Sequence, residues 1–315
     1  MLFLTESHIR SLLPMADAVR IMRDTFQALA AGQAQNQPRR RLILPTGSVL
    51  HSLAGAYGNY FGTKIYSTHP KHGANFFFLL FDAATANPLA MMEANYLGQI
   101  RTGAASGYAT DLLAAHDAHT LAIIGSGFQA RSQLDALLCV RQFSEIRVWS
   151  RNPAACHKFA DECAAVSKAP VHAVDSAEAA VRGADVIVTA TNAKDPVLDN
   201  AWIAPGAHIN AMGSNNPQRR ELPPELIARA RFIAVDSIEQ ARIEAGDLML
   251  AWSNLAESNQ DWNSPRLVEL QTLAAHPPAH AATGVTIFKS LGLGVEDVAA
   301  GAFVYERARE LGLGA

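Results

Sequence analysis

The sequence is poor in cysteine, in net charge and in long apolar runs, and each shortage narrows what the chain can be. Its three cysteines, Cys139, Cys156 and Cys163, show no Cys-x-x-Cys spacing; they are too few for a disulfide framework and fit a reducing cytoplasm. Lys and Arg total 26 against 29 Asp and Glu, and a net charge of -3 offers no basic field for nucleic acid. The longest apolar runs, such as 76–81 and 121–124, fall far short of the roughly 20 residues that cross a bilayer, so no membrane partner is expected. The opening MLFLTESHIR reaches Glu6 without the basic flank or apolar core of an export signal. Histidines are present, but His69-Pro70-Lys71-His72 has no carboxylate or thiol at zinc-like spacing, and no metal is expected.

What the chain does have is size and apolar content: 315 residues, 49% hydrophobic and 17% charged, room for about two domains. Ala18, Ile21, Met22, Phe26 and Leu29 predict a helix over 15–31. Short strands follow at 41–44, 49–54, 62–66 and 76–81, with 33–37 read as a polar linker, so the first domain is α+β. Small residues from Gly103 to Ala109 predict a closely packed helix over 102–115, bridging two domains. After Thr120, continuous apolar strands at 121–124, 146–149, 171–174, 186–190, 208–211 and 232–235 alternate with helices near 128–141, 153–168 and 176–182. That alternation predicts an α/β fold, a Rossmann-type doubly wound parallel sheet covered on both faces. A last amphipathic helix, 295–311, is expected to return to the first domain with Asp297, Glu306 and Arg309 on its polar side.

Gly125-Ser126-Gly127-Phe128-Gln129-Ala130 follows the first of these strands and opens a helix, the context in which a G-x-G-x-x-A run binds a dinucleotide. Gly125 permits the tight turn, Gly127 lets backbone approach a pyrophosphate, and the helix N-terminus presents unpaired N–H groups. At the end of the second strand, Trp149-Ser150-Arg151-Asn152 has no carboxylate for a ribose 2′-OH, whereas Ser150 and Arg151 suit a 2′-phosphate. NADP(H) is therefore the expected cofactor, with NAD(H) as the alternative. For an anionic substrate, Arg41, Lys64 and Arg101 are the cations set on or beside ordered elements, and Lys64 stands out inside the apolar strand Gly62-Thr63-Lys64-Ile65-Tyr66.

The ordered motifs Gly62-Thr63-Lys64, His69-Pro70, Pro88-Leu89-Ala90, Arg101-Thr102-Gly103-Ala104, the fingerprint at 125–130, Gly183-Ala184-Asp185, Arg220-Glu221-Leu222, Glu244-Ala245-Gly246-Asp247 and Thr286-Ile287-Phe288-Lys289-Ser290 resemble the ornithine cyclodeaminase/mu-crystallin family over nearly the whole chain. The resemblance implies a Rossmann domain, 116–289, inserted into a smaller α+β substrate-binding and dimerisation domain, 1–115 plus 290–315, in a homodimer. It carries the substrate carboxylate to Lys64, Arg101 and Arg41, the last chosen over Arg39 and Arg40 by its spacing to Pro45. It carries the dinucleotide to the glycine turn, to Ser150, Arg151 and Asn152, to Thr189, Ala190 and Thr191, and to Met212 and Gly213, with Phe288, Lys289 and Ser290 near the nicotinamide.

One position departs from the cyclodeaminases, which carry an aspartate after the fifth strand. Here Met212-Gly213-Ser214-Asn215 puts Asn215 in the substrate pocket at that place, and an amide cannot take up a proton as a carboxylate does. In this the chain resembles the ketimine-reducing members of the family, and the resemblance implies NADPH-dependent reduction of a cyclic 2-imino acid, such as pyrroline-2-carboxylate or piperidine-2-carboxylate, to L-proline or L-pipecolate. The alternatives are ornithine cyclodeamination, a protein that holds NADPH and a small acid with little turnover, and an opine- or alanine-type dehydrogenase.

Overall fold

Leu53, Lys64 and Phe78 stand opposite one another on three antiparallel strands, all buried, and this row marks the covered face of a six-stranded sheet. The computed structural model describes residues 1–253, 261–278 and 284–314. Residues 254–260, 279–283 and 315, which fall within the two expected domains, lie outside the described residues. The chain divides into two compact units, Met1–Ala104 with Gly292–Ala315, and Ala105–Leu291.

The first unit begins with β1 (Leu2–Leu4), α1 (Glu6–Leu12) and α2 (Met15–Ala30), then β2 (Ala34–Ile43), β3 (Val49–Tyr57), β4 (Tyr60–His69), β5 (Gly73–Asp82) and β6 (Pro88–Glu93). α3 (Asn95–Leu113) runs across the division between units. The sheet order is β1-β6-β5-β4-β3-β2, and only the β1–β6 pair is parallel. α2 buries Ala18, Ile21, Met22 and Phe26, the stripe its spacing predicts. The expected linker 33–37 is instead strand from Ala34 on, pairing with β3. β2 is an edge strand, where polar residues and a proline at a bulge are tolerated; the register shifts between Gln37 and Arg40, around Pro38. The other face of the sheet stays open at Leu50, Phe61 and Phe77, which are 45%, 36% and 41% exposed.

The second unit holds β7 (Thr120–Ile124), α4 (Phe128–Val140), β8 (Glu145–Trp149), α5 (Pro153–Ala164), β9 (Val171–Ala173), α6 (Ala177–Val181), β10 (Val186–Thr189), β11 (His208–Ala211), α7 (Pro224–Arg229), β12 (Phe232–Val235), α8 (Ile238–Glu244), α9 (Gly246–Ser253), β13 (Leu267–Glu269), α10 (Leu270–Ala275) and β14 (Thr286–Lys289). Its parallel sheet runs β13-β12-β14-β11-β10-β7-β8-β9. β7, β10, β11 and β14 are buried along their whole length, and β7 and β10 accordingly read as near-continuous apolar runs, whereas β11 and β14 carry the buried polar residues His208, Asn210 and Lys289. Leu134 of α4 and Phe159 of α5 pack with Ile123 and Val148 in one core cluster, while Leu226 and Leu248 pack with Ile187 and Ile209 in another. The sheet has two more strands than the six expected. β14 lies between β11 and β12 and pairs in parallel with both; its sequence, Thr286-Ile287-Phe288-Lys289, reads as a motif rather than a strand.

α11 (Gly294–Glu310) completes the first unit. Glu306 and Arg309 are exposed as expected, but Asp297 is not on the polar side: it is fully buried. Positions 297, 301, 304 and 308 form one helical stripe, and its other members Gly301, Val304 and Ala308 are buried too.

Candidate active site

In the second unit the chain turns sharply after β7. Gly125 has φ +113, and a Cβ there would meet the Ala190 carbonyl oxygen at 2.4 Å, so only glycine fits. Gly127 is the residue before α4, with no side-chain cap for the helix N–H groups and open space where its Cβ would be. A thirteen-residue helix with an uncapped start beside a turn, at the point where strand order reverses between β7 and β10, fits a dinucleotide pyrophosphate. Ser126 Oγ lies 2.9 Å from Ser150 Oγ, tying the glycine turn to the end of β8. Phe128 is exposed and Gln129 half-buried at the start of the helix.

Beyond β8, Arg151 Nη2 donates to Asn192 Oδ1 at 2.9 Å, and Arg219 Nη1 approaches the Asn192 carbonyl at 3.5 Å. Both arginines line a cavity of about 850 Å³, together with Trp149, Asn192 and Lys194. Asn152 Oδ1 accepts from Ala155 N and caps α5.

The loops after β10 and β11 are joined by a residue that lies in a quoted motif but to which the sequence assigns no role. Glu221 is fully buried and accepts from Thr189 Oγ1 (2.8 Å), Thr191 N (2.7 Å), Thr191 Oγ1 (2.7 Å) and Gly213 N (2.8 Å). Burial raises its pKa, opposed by the Lys289 ammonium and reinforced by Asp247. Gly213 is required by this crowding, since a Cβ would stand 2.4 Å from the Thr191 carbonyl. Ala190 and Met212 flank these bonded residues and are half-buried. Asp247, at the start of α9, accepts from Glu221 N (2.6 Å) and Leu222 N (3.0 Å) and pairs with Lys289 Nζ at 2.9 Å. Lys289 also donates to the Ser214 carbonyl at 2.5 Å, so its ammonium is engaged inside the unit; Phe288 and Ser290 are buried beside it, and Asn215 is exposed.

The first unit gathers charge under α11. Lys64 Nζ meets Asp297 at 2.7 Å (Oδ2) and 2.8 Å (Oδ1), while Arg101 gives Nε to Asp297 Oδ1 at 3.1 Å and Nη1 to Glu296 Oε2 at 2.7 Å. All four side chains are buried. Burial pulls the Lys64 pKa down to about 8, aided by Arg101 and opposed by Asp297. Burial also works against the Arg101 charge, but Asp297 and Glu296 outweigh it and raise its pKa. The β2 cation acting on Lys64 is Arg39, which is buried; Arg41 is half-buried and paired in register with His51. His51 stays neutral, its pKa lowered to about 4 by burial and then by Arg41 and Arg39. The structure thus joins Lys64 and Arg101, brings in Arg39 where Arg41 was expected, and adds Asp297 and Glu296. Among the described residues no cluster of three or more metal-ligating side chains is present, and no helix is long and apolar enough to cross a membrane.

A Rossmann unit with an open glycine turn, together with buried cations gathered in the first unit, is the build of a dinucleotide-dependent enzyme. The chain belongs to the ornithine cyclodeaminase/mu-crystallin family, whose model matches residues 1–312. It is 38% identical over 238 residues to the ketimine reductase mu-crystallin of Mus musculus, covering 75% of this chain and 70% of that protein. The Thermococcus litoralis Δ1-pyrroline-2-carboxylate reductase in complex with NADH and L-proline superposes with a TM-score of 0.93 at 30% identity, over 100% of this chain and 99% of that one. An archaeal alanine dehydrogenase dimer with bound NAD gives a TM-score of 0.93 at 31% identity, over 100% and 98%.

Proposed function

We propose that this protein reduces the C=N bond of a cyclic 2-imino acid, pyrroline-2-carboxylate or piperidine-2-carboxylate, to L-proline or L-pipecolate, with NADPH as the preferred cofactor. The observation that carries the reading is the buried charge cluster. Lys64, Arg101 and Arg39 are three buried cations acting at one place, with Asp297 and Glu296 ordering Lys64 and Arg101, a setting that suits a substrate carboxylate. The likeness to a ketimine reductase and to a pyrroline-2-carboxylate reductase supports the same chemistry.

A bound nicotinamide supplies the hydride that adds to the imine carbon. The protein's part is to hold the carboxylate through Arg101 and Arg39 and to deliver a proton to the ring nitrogen, so that C=N becomes CH–NH. Lys64, with a pKa of about 8, is protonated at neutral pH yet close enough to that pH to release its proton. Asn215, in place of a carboxylate, leaves the amine activation of a cyclodeaminase without a base. Arg151 and Ser150 support the 2′-phosphate preference. The open apolar face at Leu50, Phe61 and Phe77 supports a homodimer, which sedimentation would read as twice the chain mass. Three unbridged cysteines support action in the cytoplasm, to be checked by locating a tagged chain.

The test is loss of NADPH absorbance with each imino acid, run beside ornithine and beside pyruvate plus ammonia. Oxidation that needs only the cyclic imine, without ammonia release, is the expected result. Ammonia and proline from ornithine with no imine reduction would make the chain a cyclodeaminase, and oxidation that needs pyruvate and free ammonia would make it an alanine-type dehydrogenase.

A further inference from the structure

We propose that Asp297, through its hydrogen bonds to Lys64 Nζ and Arg101 Nε, is the positioning residue that keeps the Lys64 amine protonated and aimed for transfer to the substrate nitrogen. The inference rests on the reading of Lys64 as the acid. Its basis is a division of labour between two neighbouring carboxylates. Glu296 takes Arg101 Nη1 at 2.7 Å, so Arg101 has a partner of its own. Asp297 presents both oxygens to Lys64, at 2.8 and 2.7 Å, and takes only the Arg101 Nε at 3.1 Å. Asp297 is the carboxylate that favours the charge on Lys64 Nζ.

The groups around that ammonium otherwise oppose its charge. Arg39 on β2 and Arg101 on α3 are cations, the register partners Leu53 on β3 and Phe78 on β5 are apolar, and Glu296 on α11 is taken by Arg101. Burial and Arg101 both push the proton off Lys64, and Asp297 is the group that holds it on. Two cations sharing a dry site need a carboxylate between them, and a stripe position on α11 places one there without adding a side chain from the sheet.

The experiment is the pH profile of kcat/KM for cyclic-imine reduction in the full-length protein with saturating NADPH, compared among wild type, Asp297→Asn, Asp297→Ser and Asp297→Glu. Wild type is expected to lose activity above about pH 8, as the acid deprotonates. Both neutral variants should move that limb to lower pH by at least about one unit, a tenfold loss on the alkaline side with recovery toward acid pH. Asp297→Glu should keep the limb near its wild-type place, and NADPH affinity should be unchanged throughout. A uniform fall at every pH with the limb unmoved, or no change at all, would overturn the proposal. Loss of fold in both neutral variants would also overturn it, by making Asp297 a stabilising residue instead. Lys64→Met separates the two levels: a folded variant with wild-type kcat/KM defeats the acid assignment itself, whereas an inactive one beside an unmoved Asp297→Asn limb defeats only the role of Asp297.

Discussion

Replacing Lys289 with methionine would separate a structural lysine from a cofactor ligand. Lys289 and Asp247 are both fully buried with Nζ and Oδ2 2.9 Å apart, and Lys289 also donates to the Ser214 carbonyl. Removing the cation leaves a buried carboxylate whose Oδ1 still accepts from Glu221 N and Leu222 N but whose Oδ2 has lost its partner. Breaking one side of such a pair costs about 3–5 kcal/mol. Against the roughly 5–15 kcal/mol of total stability usual for a domain, that is a large share. At about 2–4 °C per kcal/mol it corresponds to a fall in Tm of roughly 6–20 °C. Adding Asp247→Asn should recover most of the loss, because an amide oxygen still accepts the two N–H groups while the unpaired charge is gone. Thermal unfolding followed by circular dichroism, with NADPH binding followed by its fluorescence, reads both effects. If Lys289→Met melts within about 2 °C of wild type, the buried-pair reasoning fails. A normal melt with greatly weakened NADPH binding would show instead that the ammonium serves the cofactor.

Three further outcomes follow from the same geometry. Ser150→Asp with Arg151→Ala should shift the NADPH-to-NADH ratio of kcat/KM by at least about tenfold, the equivalent of about 1.5–3 kcal/mol for a lost charge-assisted bond, and an unchanged ratio would remove Arg151 from the 2′-phosphate site. Arg39→Ala should raise KM for the imino acid about tenfold or more and Arg41→Ala much less; the reverse order in steady-state kinetics would restore Arg41 to the clamp. His208 is buried, hydrogen-bonded to Thr286 Oγ1 at 2.9 Å, and its pKa is lowered to about 3 by burial. Because the folded pKa lies below the unfolded value of about 6.5, its contribution to stability is complete above pH 6.5 and lost as pH falls toward 3, at up to about 1.4 kcal/mol per pH unit. His208→Gln should flatten that acid slope in denaturant titrations, and parallel slopes for variant and wild type would contradict the burial argument.

What could be read from the sequence depended on whether a residue's role is local. β7 and β10 are near-continuous apolar runs because both faces are covered, and the glycine turn shows as a run of six residues between a strand and a helix, so both are legible, although the Ala190 carbonyl that crowds Gly125 lies far along the chain. β2 was half-hidden, since an edge strand has no apolar alternation to display. β14 was hidden by its own lysine, a residue that looks out of place in a buried strand until Asp247 supplies the countercharge from α9. The same holds for Asp297. An Asp in the first turn of a helix is the ordinary complement of the helix dipole and gives no reason to look further. Its stripe with Gly301, Val304 and Ala308 is visible in the sequence, and a carboxylate on an apolar stripe must be paired or pay for its burial. The partner, Lys64, lies 233 residues earlier, on a strand where a lone cation poses the same question in reverse. Two buried charges of opposite sign, each unexplained by its own surroundings, are evidence for one another, and matching such orphans along a sequence would have joined Lys64 and Arg101 to α11 before any coordinates were known. The choice between Arg39 and Arg41 is of another kind. It turns on a bulge between Gln37 and Arg40 that shifts register by a residue, and no pattern of residue types in β2 encodes which of two alternating arginines the shifted strand then buries.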